Sequence, residues 1–156
     1  MDFPPDSAVM GRDLDAVRRR RADLRDVIAE FEHALASPAT GRAVVWGERV
    51  HHVVGELVVE FAEHVDVTEG PDGLHQAILA AAVRLANAVN ALTDEHGVIA
   101  AEIASLVAAT EPPVTAEDVA TIREQGTQLL GHIVRHRQRG ADLIYEAYAL
   151  DIGGGD

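Results

Sequence analysis

The sequence predicts an all-α protein, an antiparallel up-down bundle of four long helices. Three observations carry this. Four segments place apolar residues three and four positions apart in alternation, the spacing of one helix face. Alternating runs of β-branched residues, the mark of strands, are scarce. The segments are separated by short Pro- and Gly-rich breaks that suit antiparallel neighbours.

The first stripe runs through Leu14, Val17, Arg21, Leu24, Ile28, Phe31 and Leu35, and stops at Ser37-Pro38 with Thr40-Gly41. The second holds Trp46, Val50, Val54, Leu57, Phe61 and His64, and ends at Glu69-Gly70-Pro71-Asp72-Gly73. The third holds Leu85, Val89, Leu92, His96, Ile99, Ile103 and Leu106, and stops before Pro112-Pro113. Thr115 and Asp118 then resemble a capping box for the fourth. Its stripe is Ile122, Gly126, Leu129, Ile133, His136, Gly140, Leu143, Ala147 and Leu150. Helices are therefore expected over residues 11–36, 43–68, 83–110 and 116–149. Trp46, Leu57, Phe61, Leu92, Ile103 and Leu129 should be buried. Had the 74–82 segment continued the third helix, that helix would approach about 57 Å at roughly 1.5 Å per residue. A short helical piece and a bend near Ala82 are expected instead. Residues 1–10 read as a flexible tail, 11–150 as one domain, and 151–156, with Gly153-Gly154-Gly155, as a second flexible tail.

Composition removes several functions. A chain of 156 residues is long enough to bury roughly 70% of its unfolded surface in one domain. It has no cysteine, so thiolate catalysis, Fe–S ligation, Cys-type zinc sites and c-type haem attachment are out. It has no lysine either, and all 13 basic residues are arginine; a Schiff base or a Walker-type phosphate loop is excluded with it. The net charge of −13 argues against nucleic acid, whose phosphates demand neutralising cations. The one basic run, Arg18 to Arg21, sits among Asp13, Asp15, Asp23 and Asp26, and most of it reads as a solvated helix face. No apolar stretch of membrane-spanning length occurs, and residues 1–10 lack a signal pattern. The expectation is an acidic, cytoplasmic protein with no membrane partner. Ser7, Ser37 and Ser105 lie in no nucleophile setting, so no enzyme activity is expected.

What interrupts the stripes is informative. Each helix carries one basic side chain at a core position: Arg21, His64, His96 and His136. A lone core histidine is usually structural, but three on three helices is how a bundle builds a metal site, with ligands projecting inward. His33, His51, His52 and His75 lie off the stripes or in a connector and should be solvated. His132 stands one turn before His136, and Glu60 one turn before His64.

Two segments resemble the hemerythrin-like (HHE cation-binding) family. One holds Phe61-Ala-Glu-His64-Val-Asp-Val-Thr-Glu69 and, after a connector, Glu95-His96-Gly-Val-Ile99. The other is Leu129-Leu-Gly-His132-Ile-Val-Arg-His136 through Asp142. The resemblance implies a hemerythrin-like bundle with a non-haem iron or other cation site. Its ligands would be His64, Glu69, His96 and His136, with Glu60 or His132 able to complete the shell. The associated functions are oxygen, nitric oxide, peroxide or iron sensing, so the implied partners are a metal ion and a small diatomic or peroxide ligand.

The departures from the family pattern are specific. With His96 laid on Arg21, residues Leu92, Ile99, Ile103 and Leu106 fall on Val17, Leu24, Ile28 and Phe31, so Arg21 stands where the first histidine belongs. A guanidinium has no lone pair to give a metal. Four residues after His64 is Thr68, after His96 Ala100, and after His136 Gly140, none of them a carboxylate. Glu69 is one position late, rotated about 140° from His64 on a regular helix. Two function classes follow. Either the core histidines bind a cation, or this is a metal-free interaction or scaffold bundle in which Arg21 replaces the metal charge, pointing inward to Glu69 or Glu60, or less favourably Asp142. A guanidinium reaching outward along its aliphatic stem is the alternative for Arg21.

Overall fold

Burial follows the four stripes closely. In the computed structural model, which describes the backbone of residues 6–150 and the side chains of residue 19 and residues 22–148, no strand occurs among the described residues. The described residues form four long α-helices and one short one: α1 (Asp6–Ala36), α2 (Ala43–Glu69), α3 (Leu74–Ala81), α4 (Ala86–Ala109) and α5 (Val119–Tyr145). Trp46, Leu57, Phe61, Leu92, Ile103 and Leu129 are all buried. The side chains of Leu14, Val17 and Arg21 lie outside the described residues, as do residues 1–5 and 151–156.

Two helix starts differ from expectation, and the expected bend is present. α1 begins at Asp6, so the second half of the expected N-terminal tail is helical. Asp6 and Ser7 are residue types favoured at helix starts, and no proline lies between Pro5 and the first stripe. The bend near Ala82 is present: Ala82 is extended (φ −146°, ψ 80°), and a single 3-10 turn over Val83–Leu85 leads into α4. The fourth long helix starts at Val119 rather than 116, because Thr115 to Asp118 is folded into a turn of its own. There Asp118 accepts hydrogen bonds from the Thr115 backbone N–H at 3.0 Å and hydroxyl at 2.9 Å. That is the acid-to-N–H half of a capping box, closed just before the helix begins. The same bonds hold the Asp118 carboxyl below its ordinary pKa, with the backbone bond the larger cause. At its far end α5 passes into a π-helical turn, Glu146–Leu150.

The long helices pack in a ring of neighbours, α1 on α2, α2 on α4, α4 on α5 and α5 back on α1. α3 lies across one end, touching α1, α2 and α4. Two apolar clusters result. The larger draws Phe31, Trp46, Leu57, Phe61, Ile103 and Leu129 from all four long helices. The smaller gathers Leu74, Ile78, Leu85, Val89, Leu92 and Leu143 beneath α3. Arg123 of α5 fastens the end of α1 by donating to the carbonyls of Leu35 (3.0 Å) and Ser37 (2.8 Å). These carbonyls have no partner within the helix. Its guanidinium also covers the Trp46 ring at 5.3 Å. No helix among the described residues is long and apolar enough to cross a membrane.

Two glycines of α2 make opposite predictions. A Cβ on Gly47 would lie 2.4 Å from Val114 Cβ, where the α4–α5 connection packs on the helix. A Cβ on Gly55 would meet nothing within 4 Å. Alanine in a helix is favoured over glycine by about 1 kcal/mol, whereas overpacking costs about 1–3 kcal/mol. Gly55→Ala should raise the melting temperature and Gly47→Ala lower it. A rise for both in thermal melts would show that Val114 yields freely.

Candidate metal centre

Between the two apolar clusters lies a layer of imidazoles. His64 of α2, His96 of α4 and His136 of α5 are each buried, and one potential ligand atom from each lies within 4.8 Å of the others. Their ring centroids are 5.2 Å (His64–His96), 5.5 Å (His64–His136) and 4.7 Å (His96–His136) apart. Phe61 forms the floor on the side of the larger cluster, stacked on His64 at 5.7 Å and edge-on to His96 at 5.9 Å. Phe61 and His64 are one turn-step apart on α2, so a single helix face supplies both a buried imidazole and the apolar wall beneath it.

Two of the three rings are oriented by carboxylates from a neighbouring helix. His96 Nδ1 donates to Glu69 Oε1 at 2.9 Å, and His136 Nδ1 donates to Glu95 Oε2 at 2.7 Å. Glu95 is held in turn by Arg139, which donates to its other oxygen. A neutral imidazole protonated at Nδ1 has its lone pair on Nε2, so both carboxylates aim a lone pair inward. His136 Nε2 lies 3.3 Å from His64 Nε2. His96 Nε2 is buried with no hydrogen-bond partner. An orphaned acceptor of that kind is costly unless something occupies the space beside it.

The donor set fits a metal ion. Four ligands at roughly 2.0–2.1 Å in a tetrahedron stand about 3.3 Å apart; the His64–His136 pair matches that spacing, and all three donors lie within 4.8 Å of one another. Burial, the dominant cause, pushes the His136 pKa below its ordinary value, outweighing the opposing hydrogen bond from Glu95. The ring is thereby kept neutral and able to ligate.

The expected site residues separate into two roles. His64, His96 and His136 come together. Glu69 does not join them as a donor to the same point but stands behind His96, because its rotation on α2 faces it toward α4. Glu60, half-buried on α2, is outside the trio. His132 is turned aside and donates to Glu102 at 2.6 Å. Asp142 is exposed and accepts from Gln138 at 2.9 Å. Thr68, where a carboxylate would belong, donates to the His64 carbonyl at 2.9 Å. The expectation for Arg21 falls outside the described side chains.

Two residues were missed. Glu95, read only as part of a Glu-His pair, is the orienting base of His136. His75 was expected to be solvated with His33, His51 and His52; His33 and His52 are exposed and His51 is half-buried, but His75 is buried. It sits on α3, which folds back over the end of the site and stacks the His75 ring parallel to His96 at 5.7 Å. Its Nδ1 is 3.1 Å from Thr93 Oγ1. The signal for it was the apolar pattern of Leu74, Ile78 and Ala82, which marks a face that has to be covered. No family model matches this chain, and neither the curated proteins nor the solved structures searched contain a match.

Burial, with His96 and His136 as like-charged neighbours and Glu69 opposing, lowers the His75 pKa to about 4. In the unfolded chain it takes up a proton near pH 6.5. Between these values the unfolded state binds more protons, so the contribution of neutral His75 is full above pH 6.5 and is lost as pH falls toward 4. Thermal melts in the presence of a chelator should therefore show the melting temperature dropping between pH 7 and pH 4. His75→Leu should flatten that slope; an unchanged slope would assign the acid sensitivity elsewhere.

Proposed function

We propose that this chain is a hemerythrin-like protein, an antiparallel up-down four-helix bundle that holds a single divalent transition-metal ion through the Nε2 atoms of His64, His96 and His136. The observation that carries the reading is the pair of carboxylate-oriented imidazoles, Glu69–His96 and Glu95–His136, on rings that converge with His64. Metal-bound histidines characteristically give their other N–H to a carboxylate, which fixes the tautomer and raises ligand basicity. Imidazole donors suit iron, zinc, copper and nickel, and the resemblance in the sequence favours iron. Three protein ligands leave coordination positions open, and an ion so held supplies Lewis-acid activation or a binding point for a small molecule. Binding or sensing of a small diatomic or peroxide ligand follows as the role.

The donors support one ion rather than two. In two-metal helical sites, glutamates project inward with the histidines. Here the two carboxylates nearest the trio stand behind the rings and are occupied by Nδ1–H groups. The metal-free scaffold reading draws on the His64–His136 hydrogen bond, which closes without an ion. It leaves His96 Nε2 buried and unpaired, so the cation is the better account.

Titration with Zn(II), or with Fe(II) under anaerobic conditions, should reach one ion per chain and raise the melting temperature, since a ligand of the native state stabilises it. His96→Leu should abolish uptake. Glu95→Gln should weaken it by about 10- to 100-fold, the usual cost of losing such an orienting partner. Wild-type protein that takes up no metal at micromolar concentrations would leave the trio a structural polar layer. Two ions per chain would overturn the single-ion site.

A further inference from the structure

The outer groove between α4 and α5 separates its charges by helix. α4 holds Asp94, Glu95 and Glu102 and no arginine, whereas α5 between Glu124 and Asp142 holds Arg135, Arg137 and Arg139 and no acid. Two contacts across the groove fix its register, Glu95 with Arg139 and Glu102 with His132. Asp94 therefore stands at about the height of Arg139, and Arg135 lies about one turn further along.

The groove is also open and apolar at its base. A hollow of about 350 Å³ lies over Val98 and Ile99, and a second of about 260 Å³ over Ala88, Ala91 and Leu92. Arg139 borders both. Among the described residues nothing covers them: Asp94, Val98 and Arg135 are all exposed. The guanidinium of Arg139 bonds Glu95 through Nη1, and its side chain is 57% exposed. Other N–H donors of the same group are thus left to face outward.

A face of one sign would suit a partner of the opposite charge. Here the two signs lie in adjacent strips, which is the pattern a surface needs to bind a copy of itself. A twofold axis along the groove lays α4 of a second copy on α5 of the first, and α5 on α4. Asp94 of each chain then meets Arg135 and Arg139 of the other, over a base that includes both Val98 side chains. The other twofold, across the helices, would set acid on acid and arginine on arginine, which is repulsive. The face is large enough. With 24 residues in α4 and 27 in α5, it measures roughly 36 Å by about 20 Å, or about 700 Å² per copy. Stable complexes bury about 800 Å² per partner.

We infer that this chain forms a symmetric dimer through the α4–α5 groove, with Asp94 of each copy set against Arg135 and Arg139 of the other. Such a dimer needs no ion in the histidine layer. It covers the outer flank of Glu95, whose side chain is 24% exposed in the single chain, and so shelters the carboxylate that orients His136.

Sedimentation of the full chain at micromolar concentrations and low salt tests this, with circular dichroism to confirm that each variant is folded. Wild-type protein should be a dimer that weakens as salt is added, because its rim contacts are ionic. Asp94→Arg and Arg135→Asp should each raise the dimer dissociation constant by about tenfold or more, since like charges then face each other at two symmetric places. The double variant carrying both changes should recover most of the affinity, an outcome that a merely structural role for either residue would not produce. Val98→Arg should give a monomer. Val59→Arg on α2 should not, although Val59 is as exposed as Val98, at 55% against 57%. A wild-type monomer at every concentration leaves the groove to some other partner and overturns the inference. A dimer that survives Asp94→Arg, Arg135→Asp and Val98→Arg alike uses another face and overturns it as well.

Discussion

The interior depends on two hydrogen bonds, Glu69 to His96 and Glu95 to His136. Three imidazoles in one buried layer are unfavourable on their own, since each brings a donor and an acceptor out of water. The two carboxylates satisfy the Nδ1 donors from the flanks, where Glu69 and Glu95 are only partly buried and retain solvent on one side. A fully buried carboxylate would carry a far larger desolvation cost. Because each bond joins different helices, α2 to α4 and α4 to α5, the pair also sets the axial register of three helices. A shift of one turn along any of them would withdraw a carboxylate and strand a histidine.

The same bonds divide the core. The larger apolar cluster ends at Phe61, which contacts all three rings, and the smaller begins at Leu92, Ile78 and Leu143 on the far side. A polar plane between two apolar volumes gains electrostatic strength from its surroundings, and leaves any unpaired atom within it more costly. His96 Nε2 is such an atom. The stability of the protein and any affinity for a cation would therefore be linked, because the orphaned lone pair that costs the one would serve the other.

The fold was legible in the sequence because its stripes are long and each has a uniform period. Trp46, Leu57, Phe61, Leu92, Ile103 and Leu129 needed only helical spacing to be placed inside. The histidine trio was legible for the same reason, as three interruptions of otherwise apolar faces. The orienting residues were not, because face-by-face reading has no account of reach between helices. Glu95 neighbours His96 in sequence and points about 100° away from it, so its partner is on α5. Glu69 looked displaced from His64 by one residue, and that displacement is what carries it to His96. His75 was lost for another reason. It lies in a connector, where periodicity is too short to reveal that the segment turns back over the core.

The carboxylate positions also decide the charge of the site. One turn after the histidines the chain places Thr68, Ala100 and Gly140; Thr68 is bonded to its own helix, Ala100 is exposed and Gly140 has no side chain. A divalent ion bound by neutral imidazoles keeps its formal charge, whereas inward carboxylates would cancel much of it. Glu69 and Glu95, on the far side of the rings, moderate that charge only at a distance. The cavity beside the trio is lined by Arg137 and by no acid among the described residues. Were an ion held by the three histidines, the displaced acids would leave most of its charge uncancelled.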